Sequence, residues 1–296
     1  MSRYEAQFST VVNYIEKHLE EDLDIDQLCQ VSHFSKYHFH RQCSAFFGMS
    51  VMALVKALRL KRAAYQLAYR DSRVVDIALA NGYDSHEAFS RAFKKLFHKS
   101  PTDFRHSPDW TPWHTHYEPI LTLRTKLVRE NANFDVQIVD FPETRLAALE
   151  HRGAPQELGN TIRQFIEWRK ANRLPPSKSR TFNLIYNDPN TVTAEDYRFD
   201  VACAIAQPLE ENTCGIAYKV IPAGRCAVIR HIGSDDAIGV AVNYLYSEWL
   251  PQSDFEVRDF PIFFERVKFF PEVPENEMVT DIYLPVRWGD HVVDTL

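Results

Sequence analysis

The chain has 296 residues, 45% of them hydrophobic and 25% charged. That is the ordinary balance of a folded protein, and the length suits about two domains of ~100–200 residues each, which excludes a disordered or low-complexity polypeptide. The opening Met1-Ser2-Arg3-Tyr4-Glu5 shows no charged-then-apolar leader pattern, and no apolar run reaches the ~18 residues of a membrane span, so a cytoplasmic protein without a membrane partner is expected. Cys29, Cys43, Cys203, Cys214 and Cys226 are odd in number and contain no Cys-x-x-Cys pair, so neither a disulfide framework nor a zinc cage is indicated, and no cofactor is expected.

The net charge of −6 hides a strong asymmetry. Residues 35–105 hold 13 Lys and Arg against 5 Asp and Glu, a local +8 that leaves −14 on the rest. A basic segment within an acidic chain is what phosphate attraction requires, because counterion release depends on local charge. A merely solvated basic face would give the same count, so the pattern within the segment has to decide.

Residues 5–105 are helical by apolar spacing, with Gly and Pro only at joints. Phe8, Val11, Val12, Ile15 and Leu19 describe a first amphipathic helix ending near Glu20-Glu21-Asp22. Asp24 is placed to cap a short second helix carrying Ile25, Leu28 and Val31, and Ser35 to cap a third. The third helix turns Phe39, Cys43, Phe46 and Phe47 to one side and Tyr37, His40, Arg41 and Ser44 to the other. This is a helix-turn-helix outline, in which one face packs and the other reads. Gly48 ends that helix, Ser50 caps the next, and residues 50–70 make a rod of ~30 Å at 1.5 Å per residue.

Residues 73–97 repeat the outline: a short helix with Val75, Ile77 and Leu79, a turn at Asn81-Gly82-Tyr83, and a helix opened by Ser85. A shift of 50 places Asp26 on Asp76, Ser35 on Ser85, Phe39 on Phe89, Arg41 on Arg91, Phe47 on Phe97 and Ser50 on Ser100. Successive major grooves on one side of B-DNA lie ~34 Å apart, close to the rod length, so one chain could occupy two of them. Arg41 and Arg91 suit the O6 and N7 acceptors of guanine, while His40, His86 and Ser90 can contact bases or phosphates. Lys94, Lys95 and Lys99 suit phosphates; Glu87 either accepts from a cytosine amino group or marks the rim.

These residues resemble the DNA-binding domain of the AraC/XylS family. The resemblance is carried by Ser35-Lys36-Tyr37-His38-Phe39-His40-Arg41, Ile77-Ala78, Gly82-Tyr83, Phe89-Ser90-Arg91-Ala92-Phe93-Lys94-Lys95 and Ser100-Pro101-Thr102-Asp103-Phe104-Arg105. It implies an all-α tandem helix-turn-helix of seven helices over 1–107. Base contacts are then expected at Tyr37, His40 and Arg41 and at His86, Glu87 and Arg91, with double-stranded DNA and RNA polymerase as partners.

Pro108, Pro112 and Pro119, with Trp110 and Trp113, predict an extended linker over 108–120 before strands begin near Leu121. His114 and His116 alternate as metal ligands on a strand would, but no third ligand is near, and no metal is expected. The second domain, 121–296, is duplicated as well. A shift of 80 aligns Pro142 with Pro222, Arg145 with Arg225, Ala147 with Ala227, His151 with His231 and Gly153 with Gly233. Each copy reads as strand, glycine turn, helix (about 156–170 and 235–249, closed by Trp168 and Trp249) and further strands at 182–186, 199–206, 262–268 and 278–286. The expected class is α+β with duplicated strand-helix-strand units and a ligand-sized groove between them.

This half, about 134–287, resembles the GyrI-like effector-binding domain through Ile185-Tyr186-Asn187-Asp188-Pro189, Ser247-Glu248-Trp249-Leu250-Pro251, Phe264-Glu265-Arg266 and Asp281-Ile282-Tyr283-Leu284-Pro285-Val286. The resemblance implies an effector site with Glu265 as its carboxylate, Trp249 and Tyr283 as its aromatics, and a cationic or lipophilic small molecule as its occupant. Glu265 as a surface residue paired with Arg266 or a lysine is the competing reading. A transcriptional regulator modulated by a small molecule or protein is therefore expected, with a protein-interaction module as the alternative for the second domain. A hydrolase of small electrophiles using the groove carboxylate is the third reading; no Ser/His/Asp or Cys/His arrangement supports it, and the chain is expected not to be an enzyme.

Overall fold

A computed structural model of the chain describes residues 2–130, 134–189, 191–209 and 212–289. It divides into two compact units, Met1–Asn131 with Phe270–Asn276, and Ala132–Phe269 with Glu277–Leu296. No single helix among the described residues is long and apolar enough to cross a membrane.

The first unit is all helical: α1 (Arg3–Lys17), α2 (Ile25–Ser32), α3 (Lys36–Phe47), α4 (Val51–Tyr69), α5 (Val74–Ala80), α6 (His86–Phe97), α7 (Pro101–His106) and α8 (Thr111–Glu130). The expected caps recur. Asp24 accepts from the Gln27 amide while Gln27 reaches back, and Ser50, Ser85 and Ser100 accept from the amides three residues on. Ser35 occupies the N-cap position in extended backbone, but its hydroxyl makes no capping bond. Gly48 and Gly82 both sit at positive φ, +70 and +75°, where a Cβ would be strained. Phe8, Phe39, Phe89, Phe93, Phe97 and Phe104 are fully buried, each contributing about 1.5–3 kcal/mol of apolar transfer. Of the apolar residues on α5, Ile77 is buried, whereas Val75 and Leu79 are exposed.

The central strut is α4. It buries residues on nearly all sides, Val51, Leu54, Leu58, Leu60, Ala64 and Leu67 among them. Its Arg59 donates to the carbonyls of Leu19 and Glu21 after α1, and the same guanidinium lies against Gly82 in the turn before α6. One side chain thereby joins the first helix-turn-helix to the second.

The expected linker over 108–120, and the expected second-domain start at 121, are corrected by α8. Pro112 falls in the first turn, where a missing N–H costs little. Pro119 lies inside the helix, whose course is maintained by the burial of Trp113, Tyr117, Ile120 and Leu123 at helical spacing in the first core. His114 and His116 therefore sit on a helix, not on a strand, and His116 Nδ1 contacts the Pro112 carbonyl at 3.1 Å.

Buried charge ties the far segment into this unit. Glu275 meets Lys61 of α4 at 2.5 Å and Arg124 of α8 at 2.7 Å, Arg124 also pairs with Glu16 of α1, and the Lys61 ammonium lies 4.1 Å from the Tyr117 ring centre. Burial alone would raise the Glu275 pKa, but the charges of Lys61 and Arg124 outweigh it and hold the carboxyl well below the usual carboxylate range.

The second unit is an antiparallel sheet with two helices: β1 (Gln137–Phe141), β2 (Thr144–Arg152), α9 (Leu158–Ala171), β3 (Thr181–Ile185), β4 (Arg198–Ala204), β5 (Ile216–Ile221), β6 (Gly224–Ile232), α10 (Ile238–Tyr244), β7 (Phe255–Val257), β8 (Ile262–Lys268) and β9 (Val279–Trp288). Strand order is β1-β6-β9-β8-β3-β4-β2-β5, with β7 on the end of β9. The order reads the same from both ends when the copies are exchanged. The 80-residue offset carries β1 onto β5 and β2 onto β6, yet β1 pairs with β6 and β5 with β2. Each copy thus lends its first strand to the other. His151 and His231 play matched parts, their Nε2 atoms 3.2 Å from the Ala154 carbonyl and 3.0 Å from the Ser234 carbonyl, across turns where Gly153 and Gly233 have φ of +131 and +129°. The copies differ at the second helix, since α10 runs into a π-helical turn, Leu245–Trp249.

Two outcomes are expected. Glu275→Gln removes the counter-charge of two buried cations and should lower stability at neutral pH by about 3–5 kcal/mol. Because the folded carboxyl titrates below its unfolded value of 4.5, the stabilisation is present above that pH and is lost as pH falls towards about 2. Urea unfolding of wild type and variant should therefore differ most near neutrality and converge in acid; a gap that does not depend on pH would refute the assignment. Gly82→Ala forces a side chain into the left-handed region and places a Cβ 2.7 Å from Arg59, so the melting temperature should fall by the equivalent of about 1–3 kcal/mol.

Candidate DNA-reading surface and effector groove

On α3, Phe39, Cys43 and Phe47 pack inward, and Tyr37, His40, Arg41 and Ser44 are exposed. Tyr37 is 89% exposed, which removes it from the core. On α6, Phe89, Phe93 and Phe97 pack inward while His86, Glu87, Arg91, Lys94 and Lys95 are exposed. Glu87 lies in the first turn of α6, where the helix dipole favours a carboxylate whatever the helix meets. Ser90 departs from expectation: its hydroxyl is shielded from solvent and has no partner among the described residues, so it does not join the exposed row.

The local charge of +8 divides by use. Lys36 pairs with Asp26, Arg62 with Glu20, Arg70 with Glu272 and Arg73 with Asp76. Lys61 is buried against Glu275, Arg59 and Arg105 hold backbone carbonyls, and Lys99 donates to the Ser107 carbonyl at 2.8 Å. Lys99, expected at a phosphate, instead closes the end of α7. Among the described residues, Arg41, Lys56, Arg91, Lys94 and Lys95 have no such internal partner. The cations left for an external anion are thus Arg41 of α3, Lys56 of α4 and, on α6, Arg91, Lys94 and Lys95.

In the second unit the sheet has two unlike faces. One is covered by helices: Phe165 and Trp168 of α9 pack on Ala147, Val201 and Cys203, and Ala241 and Leu245 pack on Ala227, Ile229 and Ile282. The opposite face carries Phe141, Phe182, Phe263 and Tyr283, with the rings of Phe263 and Tyr283 stacked at 5.0 Å and 8° and Phe141 edge-on to both. Among the described residues, no helix residue enters that cluster.

A row of charge crosses this face. Asp281 of β9 stands opposite both Arg230 of β6 and Glu265 of β8, and Arg180, just before β3, completes it. Arg180 grips Glu265 through Nε and Nη2, both at 2.6 Å, and Arg230 grips Asp281 at 2.7 and 2.8 Å. The Arg180 guanidinium also lies 4.9 Å from the Phe182 ring centre and 5.5 Å from that of Phe141. Tyr283 is the donor at 3.5 Å from Glu265; burial and then the neighbouring Glu265 charge push its pKa up to about 12, so it keeps its proton. Across the face Asp200, fully buried, accepts from Tyr186 at 2.7 Å and Lys219 at 2.6 Å, and Glu150 accepts from Arg198 and Lys219.

Glu265 and Tyr283 therefore lie together on one face, and Trp249 does not join them. It packs on Phe255 in the helix-covered cluster, because it closes the helical segment after α10 and shares the face of Phe264 and Ile282. Glu265 is neither paired with Arg266 nor with a lysine, since Arg266 faces the other way and pairs with Asp235. Arg180 and Arg230 were missed in the sequence. Their signal was position, Arg230 within a strand and Arg180 just before one, in an alternation that matches that of the acidic partners.

Comparison with known proteins places both halves. Residues 134–287 match the GyrI-like small molecule binding domain and residues 28–107 a helix-turn-helix domain. The chain is 36% identical over 157 residues to the probable transcriptional regulator YgiV of Escherichia coli, covering 53% of this chain and 98% of that one. It is 43% identical over 102 residues to the HTH-type transcriptional regulator YbfP of Bacillus subtilis, covering 34% and 35%. With the right origin-binding protein of Escherichia coli it shares 35% over 98 residues, covering 33% and 34%. The chain belongs to the GyrI-like small molecule binding family and, with an AraC-type helix-turn-helix domain before it, is a transcriptional regulator.

Proposed function

We propose that the chain reads two adjacent major grooves of one operator with α3 and α6, and that a small molecule held on the aromatic face of the second unit modulates transcription from that operator. The observation that carries the first part is the matched pair of exposed, internally unpartnered arginines, Arg41 and Arg91, on reading helices 50 residues apart in sequence. The 19-residue α4 between them spans about 28 Å at 1.5 Å per residue, commensurate with one turn of B-DNA. Arg41 and Arg91 take guanine edges, and Tyr37, His40, Ser44, His86 and Glu87 make the flanking base contacts. Lys94 and Lys95 take phosphates. Regulation by such a reader acts on RNA polymerase as the partner at the promoter.

Regulation is favoured over hydrolysis at Glu265, because both of its oxygens are already engaged by Arg180 and leave no lone carboxylate positioned as a base.

Arg41→Ala and Arg91→Ala are each expected to weaken specific binding by about 1–3 kcal/mol and to relax base preference in opposite halves of the site. Lys94→Ala should weaken specific and non-specific DNA alike and reduce the salt slope by about 1. Footprinting of a single bound chain should show two adjacent protected grooves; protection of one groove, or unchanged affinity in both arginine variants, would end the tandem reading.

A further inference from the structure

The aromatic face of the second unit is not open to a cation in the way that a bare carboxylate over aromatic rings would be. Arg180 already makes the two contacts such a ligand would make: a bidentate ion pair to Glu265, and a guanidinium over the rings of Phe141 and Phe182. A visiting monocation would have to expel it and leave a guanidinium without its counter-charge.

Burial along the charged row points the same way. The side chains of Glu265 and Asp281 are 15% and 10% exposed, whereas those of their partners Arg180 and Arg230 are 44% and 61% exposed. Approaching solutes therefore meet arginine before carboxylate. Each guanidinium uses Nε and Nη2 on its own acid, and among the described residues no internal partner takes Nη1 of either. Two donor-bearing cationic ends thus lie over a covered aromatic cluster, in which Phe182 and Phe263 are fully buried and Phe141 and Tyr283 nearly so, and Lys219 and Arg198 front the acidic pair on the far side of the same face.

We propose that Arg180 fills the cation subsite of this face itself, and that the effector is an amphipathic aromatic anion whose carboxylate or sulfonate meets Arg180 and Arg230 and whose ring stacks on the half-exposed Arg180 guanidinium above the buried Phe141 and Phe182. The proposal rests on the reading that this face holds the effector. A carboxylate suits the guanidinium fork in a way that a neutral ring does not, and the existing Glu265 and Asp281 contacts hold both forks in place for it. Arg180 is then the specificity-determining residue of the site.

The test uses the full chain and two probes, 2-naphthoate and tetraphenylphosphonium, titrated by calorimetry against wild type, Arg180→Ala and Arg180→Lys, with melting curves to confirm folding. Wild type should bind naphthoate in preference to the phosphonium. Arg180→Ala should weaken naphthoate roughly tenfold or more and strengthen the phosphonium by a similar factor, as Glu265 is uncovered. Arg180→Lys, which keeps the charge and loses the fork, should fall between them and remains informative if the Ala variant does not fold. Phosphonium binding to wild type as tight as naphthoate binding would overturn the specificity assignment while leaving the effector face standing. Failure of both probes on every folded form would overturn the effector face, and this inference with it.

Discussion

The second unit depends on one constraint: neither copy of the duplicated segment can complete its own half of the sheet. β1 and β2 are joined by a two-residue turn, but β1 hydrogen-bonds to β6, and β5, the equivalent of β1, bonds to β2. A single copy would expose the edge of its second strand, β2 or β6, with unpaired backbone donors and acceptors on an apolar ribbon. The exchange satisfies both edges, and it also places the two innermost strands, β8 and β3, side by side at the pseudo-twofold with Phe182 opposite Glu265. The aromatic face draws on both copies, Phe141 and Phe182 from the first and Phe263 and Tyr283 from the second.

Near-symmetry of backbone makes the asymmetry of side chains informative. Asp200 and Asp281 occupy equivalent places, opposite Glu150 and Arg230 and beside Leu184 and Glu265. The groove carboxylate thus stands where the other copy has leucine, and the cation opposite Asp281 stands where the other copy has an acid. One half became a polar network closed on Lys219, the other a row whose arginines face outward. Duplication supplied the scaffold, and divergence at a few strand positions made one end of the face chemically distinct.

In the first unit the analogous duplication is held by α4. Its residues serve both helix-turn-helix motifs, and Arg59 contacts the end of one and the turn of the other. Most of the basic residues in that segment serve the fold. They neutralise acids or cap carbonyls, so the composition that suggested DNA in fact overstates the charge available to it. The excess that remains lies mainly on the exposed faces of α3 and α6, a sharper basis for DNA reading than the total.

The sequence by itself determined the local elements: the helices of the reader with their Asp24, Ser50 and Ser85 caps, the glycine turns, both repeats, and the α+β strands of the second half. These follow from side-chain periodicity and from backbone demands that act within a few residues. It misled at residues 111–130, where Pro112 and Pro119 suggest an extended linker while Trp113, Tyr117, Ile120 and Leu123 keep helical spacing; burial of those four against the core outweighs the proline cost. What only the tertiary structure decided are relations between distant residues. Trp249 and Tyr283 are equally aromatic in sequence, and strand and helix placement puts them on opposite faces of one sheet. Glu275 joins Lys61 across more than 200 positions, and Arg180 joins Glu265 across 85. Charge pairing of that kind leaves no periodic trace, because it depends on where the chain returns in space and not on what stands beside it along the chain.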